Sequence, residues 1–170
     1  MEVSHTAHQP GQFSAGQRDT VLHMFERAVA SASQEVFFDV GGETCTYGEL
    51  DRRSNRLAHE LAKLGVTKGD AVVTIADTSP DVFTLWFGIQ KLGGIWAPVN
   101  LAYRGEFLRH QMNDTQAKLV ICDADMLERV VEIAANCPSL ERVLCRDLPA
   151  DGPECAVPVE AFGGCRGSDE

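Results

Sequence analysis

Ala71-Val72-Val73-Thr74-Ile75-Ala76 is an apolar run with one hydroxyl, and Asp77-Thr78-Ser79-Pro80 cuts it off. Such a run, closed by turn residues, is expected to be a strand covered on both faces. The turn then opens a helix, with Ser79 the expected cap and Pro80 at the first helical position, where its missing N–H is not needed. Val82, Phe83, Leu85, Trp86, Phe87, Ile89 and Leu92 make that helix apolar nearly all round, so it should be buried on most sides. Gly93-Gly94 ends it. Ile95-Trp96-Ala97-Pro98-Val99 reads as a second short strand, which Pro98 assigns to a sheet edge or to the strand's own terminus. Strand, helix and strand in this order form a βαβ unit, whose strands run parallel.

The same alternation extends in both directions. Upstream, Thr46 and Glu49 form a capping box before a helix carrying Leu50, Leu57, Leu61 and Leu64, with Ser54 the small polar member of that row and Gly65 the stop. Before it, Glu35–Asp39 and Glu43–Thr46 flank Gly41-Gly42 as a hairpin. Asp19 or Thr20 caps an earlier helix with Val21, Leu22, Phe25, Ala28 and Val29 on one stripe. Downstream, a helix over 104–114 should turn Phe107, Leu108 and Met112 inward. A strand over 118–123, a helix marked by Met126, Leu127, Val130, Val131 and Ala134, and a strand over 141–145 follow. The expected fold class is α/β, a mainly parallel sheet flanked by helices. Residues 1–18 carry no periodicity and read as a disordered leader. From Arg146 the pattern dissolves into an irregular tail, 146–170, which looks abruptly ended.

A chain of 170 residues can bury a sizeable core in one domain. Fifteen Lys and Arg against 25 Asp and Glu give a net charge of −10, which repels nucleic acid and anionic membrane surfaces. No apolar stretch reaches the ~20 residues of a membrane span. Cys45, Cys122, Cys137, Cys145, Cys155 and Cys165 follow no apolar signal segment, include no CxxC and match no zinc spacing. Reduced thiols in a cytoplasmic protein are the expectation.

Chemistry-bearing patterns are scarce. There is no GxxxxGK[ST], no GxGxxG after a strand and no GxSxG elbow. The amides of the Asp77-Thr78-Ser79 turn could face an anion, but a satisfied cap is the simpler reading. The glycine-rich Gly163–Ser168 has no helix behind it. His5 and His8 fall in the leader, and His23, His59 and His110 stand singly on helices. Asp77, Asp81, Asp123 and Asp125 occupy strand–helix junctions, where caps and turns favour Asp, and the Asp123/Asp125 pair lacks a companion ligand. Trp86 and Trp96 read as core. No residue stands out as catalytic, cofactor-binding or metal-binding.

Two segments nevertheless resemble a family. Thr46-Tyr47-Gly48-Glu49-Leu50, with Asp51 and Ser54-Asn55-Arg56-Leu57-Ala58, is similar to the first core motif of the AMP-forming acyl-CoA synthetase superfamily. That superfamily includes peptide-synthetase adenylation domains and firefly luciferases. Leu64–Val72 resembles the phrase leading into its next strand. Gly88–Asn100 resembles the second core motif, with Leu92-Gly93 standing where the family commonly has Ala-Gly. Arg104–Leu108 and Lys118–Asp123 continue the likeness, which spans roughly residues 20–145 in order. Pro98-Val99-Asn100 favours acyl-CoA synthetases over peptide-synthetase domains, which tend to carry Asp at position 100. The stretch from Arg104 to His110 looks like the fatty-acid or carnitine/crotonobetaine ligase branch.

The resemblance implies residues 19–145 as part of an N-terminal AMP-binding synthetase domain. It implies a parent reaction in which ATP and Mg²⁺ activate a carboxylic acid to an acyl-adenylate, and coenzyme A then takes the acyl group as a thioester. In the family, the phosphate-gripping loop, adenine pocket, ribose-binding Asp, hinge and catalytic Lys lie downstream of everything matched here. The chain is therefore expected to be an inactive N-terminal fragment that binds no cofactor itself. The alternatives are a non-catalytic binding or regulatory module and an adenylation domain feeding a carrier protein.

Overall fold

A computed structural model describes residues 20–77 and 79–163. The expected leader, His5, His8, Cys165 and the end of the glycine-rich tail lie outside the described residues. Helix α1 (Val21–Ala32) is followed by the hairpin β1 (Val36–Val40) and β2 (Glu43–Thr46), then α2 (Tyr47–Lys63). Next come β3 (Ala71–Ile75), α3 (Asp81–Lys91), β4 (Ile95–Pro98), α4 (Gly105–Asp114), β5 (Leu119–Asp123), α5 (Ala124–Ala134), β6 (Arg142–Arg146) and β7 (Val159–Ala161). The sheet order is β4-β3-β5-β6-β7, and every pair is parallel. As Pro98 implied, β4 is an edge.

Right-handed crossovers fix which face each helix covers. The chain steps one way from β3 to β4 and the other way from β5 to β6, so α3 and α5 lie on opposite faces. Side-chain alternation agrees. Val73, Ile75, Val120, Cys122, Val143 and Cys145 pack with Leu108 and Met112 of α4 and Leu127, Val130 and Ile133 of α5. Their neighbours Val72, Leu119, Ile121 and Leu144 pack with Leu57 and Leu61 of α2 and Leu85 and Ile89 of α3. A third cluster joins Phe25, Phe38, Cys45, Leu50 and Phe87, with Phe25 and Phe87 stacked at 4.0 Å.

Helix α2 starts as its capping box dictates. The Thr46 hydroxyl accepts from the Glu49 amide at 3.2 Å, and the Thr46 amide donates to Glu49 Oε2 at 2.8 Å. Ser54 is buried in the leucine row because its hydroxyl donates to the Leu50 carbonyl at 2.8 Å. The Thr46 amide and hydroxyl hold the Glu49 carboxyl below its ordinary value.

Three expectations are corrected. Phe107 does not turn inward: it is 74% exposed, against Tyr103 at 6.1 Å. Leu108 and Met112, four residues apart, already define the one face α4 packs on, and Phe107 sits about 100° round from it. The tail is not wholly irregular, because β7 adds to β6. The Val143 amide donates to Pro158 O, the Phe162 amide donates to Cys145 O, and Arg142 pairs with Glu160. Three residues are too few to show a period. Ser79 does not cap α3; Pro80 holds the cap position with φ −52° and ψ −28°. The amides of Val82 and Phe83 bond back to the Ser79 and Pro80 carbonyls, so the serine hydroxyl has no donor to receive.

Two substitutions test this architecture. A Cβ on Gly88 would lie 2.7 Å from Leu57 Cδ2 and 3.0 Å from its Cβ, so α3 or α2 must move. Gly88→Ala should cost about 1–3 kcal/mol in urea unfolding; an unchanged midpoint would show that the helices do not meet there. Thr46→Ala should cost about 1 kcal/mol at neutral pH. Glu49 is depressed in the fold, so its contribution is complete above its ordinary 4.5 and is lost as pH falls through the lower native value. The gap between wild type and Thr46→Ala should accordingly narrow on acidification.

Candidate functional site

The connections from β3 and β4, adjacent strands, leave toward opposite faces, into α3 and α4. Their carboxyl ends therefore part, and this switch point is where open α/β sheets place ligands. Here it forms a cleft of about 280 Å³. Thr74, Asp77 and Ser79 come from β3 and its exit, Trp96 and Asn100 from β4 and its exit, and Arg146 from the end of β6.

Arg146 organises the rim. Its Nε donates to Asp123 Oδ1 at 2.5 Å and its Nη1 to Asp81 Oδ2 at 2.9 Å. The second oxygen of Asp123 accepts the Asp77 amide at 2.7 Å. One carboxylate thus ties together the exits of β3, β5 and β6. All three charged side chains are largely buried, at 11% exposure for Arg146, 16% for Asp81 and 19% for Asp123. Across the cleft, Trp96 Nε1 donates to Thr74 Oγ1 at 3.0 Å, and its ring stacks on Trp86 at 5.5 Å. Among the described residues, Ser79 Oγ is buried with no hydrogen-bond partner.

The residues singled out by sequence fare unevenly. Asp77, Asp81 and Asp123 come together, but Asp123 caps nothing: no side-chain bond closes the start of α5, and its carboxylate turns to Arg146 instead. Trp96 packs half-buried against the core cluster and is also a wall of the cleft. His23, His59 and His110 are dispersed on exposed helix faces. Cys45, Cys122, Cys137 and Cys145 are buried free thiols, and burial pushes all four upward, away from reactivity. Sequence reasoning misses Arg146, where the pattern dissolves. The available signal was the surplus of acids at the junctions, which a partly buried site must neutralise. Arg146→Met should strand Asp81 and Asp123 and cost about 3 kcal/mol, read by urea unfolding at neutral pH; a loss under 1 kcal/mol would mean the rim does not depend on the guanidinium.

A cleft at the carboxyl ends of an all-parallel, helix-covered sheet lies where open α/β domains place their ligands. The family model described as AMP-binding enzyme matches residues 25–161, and the chain belongs to that family. Long-chain fatty acid transport protein 6 of Mus musculus is 33% identical over 129 residues, 75% of this chain and 21% of that protein. Tyrocidine synthase 3 of Brevibacillus parabrevis is 31% identical over 134 residues, 78% of this chain and 2% of that one. The chain thus spans about a fifth or less of these relatives' lengths. Among solved structures, the anthranilate CoA ligase bound to anthranoyl-AMP superposes with a TM-score of 0.68 at 23% identity, over 73% of this chain and 24% of that one. Coronafacic acid ligase from Pectobacterium brasiliense superposes with a TM-score of 0.71 at 16% identity, over 85% and 28%. These likenesses show that the fold is that of the large domain of adenylate-forming enzymes. No helix among the described residues is long and apolar enough to cross a membrane.

Proposed function

We propose that this chain forms the opening α/β portion of an AMP-forming acyl-CoA synthetase. The parent reaction activates a fatty or other carboxylic acid with ATP, then forms its thioester with coenzyme A. The ordered family match over residues 25–161 carries this reading. Asn100 supports the CoA branch, and the likeness to a long-chain fatty acid transport protein supports a fatty-acid substrate. A second reading, an adenylation domain feeding a carrier protein, is favoured by the likeness to tyrocidine synthase 3. Buried free thiols support a reducing compartment such as the cytoplasm.

ATP and Mg²⁺ do not fit the described cleft. Its guanidinium is already shared by Asp81 and Asp123, both oxygens of Asp123 are engaged and Asp77 has interactions of its own, so neither a triphosphate nor a divalent ion finds a free counter-charge there. Adenylation by the 170-residue chain alone is therefore not expected, and no step is assigned to its residues. What the described residues supply is a rigid floor and the parted strand ends of the switch point.

ATP–pyrophosphate exchange with a panel of fatty and aromatic acids tests this. The purified chain should show none. The same chain joined to the remaining portion of a family member's synthetase should show exchange and should release acyl-CoA when coenzyme A is added. Exchange by the short chain at full-enzyme rates would overturn the division of labour. Exchange by the longer one without acyl-CoA release would select the carrier-protein reading.

A further inference from the structure

Two charged ridges run along helices on opposite faces of the sheet. On α2, Arg52, Arg56, His59 and Lys63 are exposed. Their steps of four, three and four residues put them on one stripe, about 180° round from the buried Leu50, Leu57 and Leu61. Arg52, Arg56 and Lys63 make no hydrogen bond or ion pair among the described residues. By contrast, Arg53, Lys91, Lys118, Arg142 and Arg146 are each held by a carboxylate. Glu60 lies at the edge of the stripe, and the Glu49 carboxylate beside Arg52 already accepts the Thr46 amide. In a chain of net charge −10, this outward face of α2 is basic.

On α5, Asp125, Glu128 and Glu132 are exposed and form the matching acidic stripe, opposite the buried Leu127, Val130 and Ile133. They too make no ion pair among the described residues. Arg129, to one side of them, is occupied, since its Nη1 donates to the Leu101 carbonyl. Helix α2 packs with the cluster that holds Val72 and Ile121, and α5 with the one that holds Val73 and Val120. The two ridges therefore point away from each other, and one molecule cannot satisfy either with its own other. Their lengths are comparable, about 16 Å on α2 and about 10 Å on α5 at 1.5 Å per residue.

We propose that α2 of one molecule docks on α5 of a second copy of this chain, basic ridge against acidic ridge. The two partners use different patches, so the association is head to tail and leaves one ridge of each kind open at its ends. Pairs of exposed charges are individually weak and screened by salt, so the affinity is low and salt-sensitive. The net charge of −10 opposes the approach of two copies at long range. In 0.1 M salt, screening over about 10 Å removes that repulsion before it removes pairs in contact. The surface is separate from the cleft, and it stands whether or not the parent reaction is assigned correctly.

Sedimentation equilibrium of the full 170-residue chain reads this association directly. In 0.1 M salt the weight-average mass should rise with protein concentration. In 1 M salt, where screening acts over about 3 Å, the association should weaken at least about tenfold. Arg52→Glu with Arg56→Glu should weaken it as much in 0.1 M salt, and so should Glu128→Lys with Glu132→Lys. All four positions are exposed, so both double variants should keep the wild-type unfolding midpoint. Mixed one to one, the two variants regain opposite charges at both contacts and should associate as the wild type does, although each remains net negative. A monomer at every concentration, association that survives 1 M salt, wild-type self-association by either double variant, or a mixture that stays monomeric would each overturn the proposal. The salt series uses the unaltered chain, so it tests the pairing even where a variant folds poorly, and pyrophosphate exchange has no bearing on it.

Discussion

The direct contact of α3 with α2 at Gly88 and Leu57 is the constraint on which the rest of the structure depends. With hydrogen in place of a side chain at Gly88, α3 lies on the leucine row of α2. Its neighbours in sequence are thereby assigned their partners. Phe87 enters the aromatic cluster with Phe25, while Leu85 and Ile89 reach the sheet. One helix so joins the N-terminal hairpin and α1 to the parallel sheet. At its C-terminal end, Lys91 Nζ donates to Asp51 Oδ1 at 2.6 Å and to Asn55 Oδ1 at 2.7 Å, fixing α3 along its axis. At its other end the same rigid body carries Asp81 to Arg146, about 10 Å from Gly88 by helical rise. The cleft geometry is therefore set by helix packing, not by the cleft's own loops.

Much of this was legible because its causes are local. The capping box at Thr46 and Glu49 specifies bonds within one turn, and they form. Pro98 assigns its strand to an edge or to the strand's own end, and β4 is an edge strand that ends at Pro98. The apolar runs at 71–75 and 119–123 have no polar face because helices cover both sides. Illegible features depend on partners distant in sequence. Phe107 is as apolar as Leu108, and only the direction from which α5 approaches α4 decides which one is buried. Strand β7 exists because β6 offers it an edge, with Val143 and Cys145 supplying the bonds.

The site was harder to read for the same reason. Asp at a strand–helix junction has a local use, capping, and a sequence reading assigns it that use. Asp123 instead serves a residue 23 positions away, and Asp81 one 65 positions away. Neither separation leaves a mark on composition or periodicity. What the sequence did carry was the imbalance: acids recur at the exits of parallel strands, and a basic residue must meet them wherever they become buried. Ser79 shows the converse. Its local use was evident, but Pro80 holds the cap position instead, and among the described residues the Ser79 hydroxyl is left buried without a partner.

Arg146 lies in the cleft, but its charge is already engaged. A guanidinium held in ion pairs with two largely buried carboxylates cannot also neutralise phosphate without breaking them. Breaking them leaves two desolvated anions at the point where three strand exits meet. Its structural role and a catalytic role are mutually exclusive in this arrangement. Positive charge aimed at a developing phosphate anion has to come from groups that the fold does not already use. In the cleft, Arg146 is met by Asp81 and Asp123, and the rest of the lining is mostly apolar, with the Trp96 indole part of it.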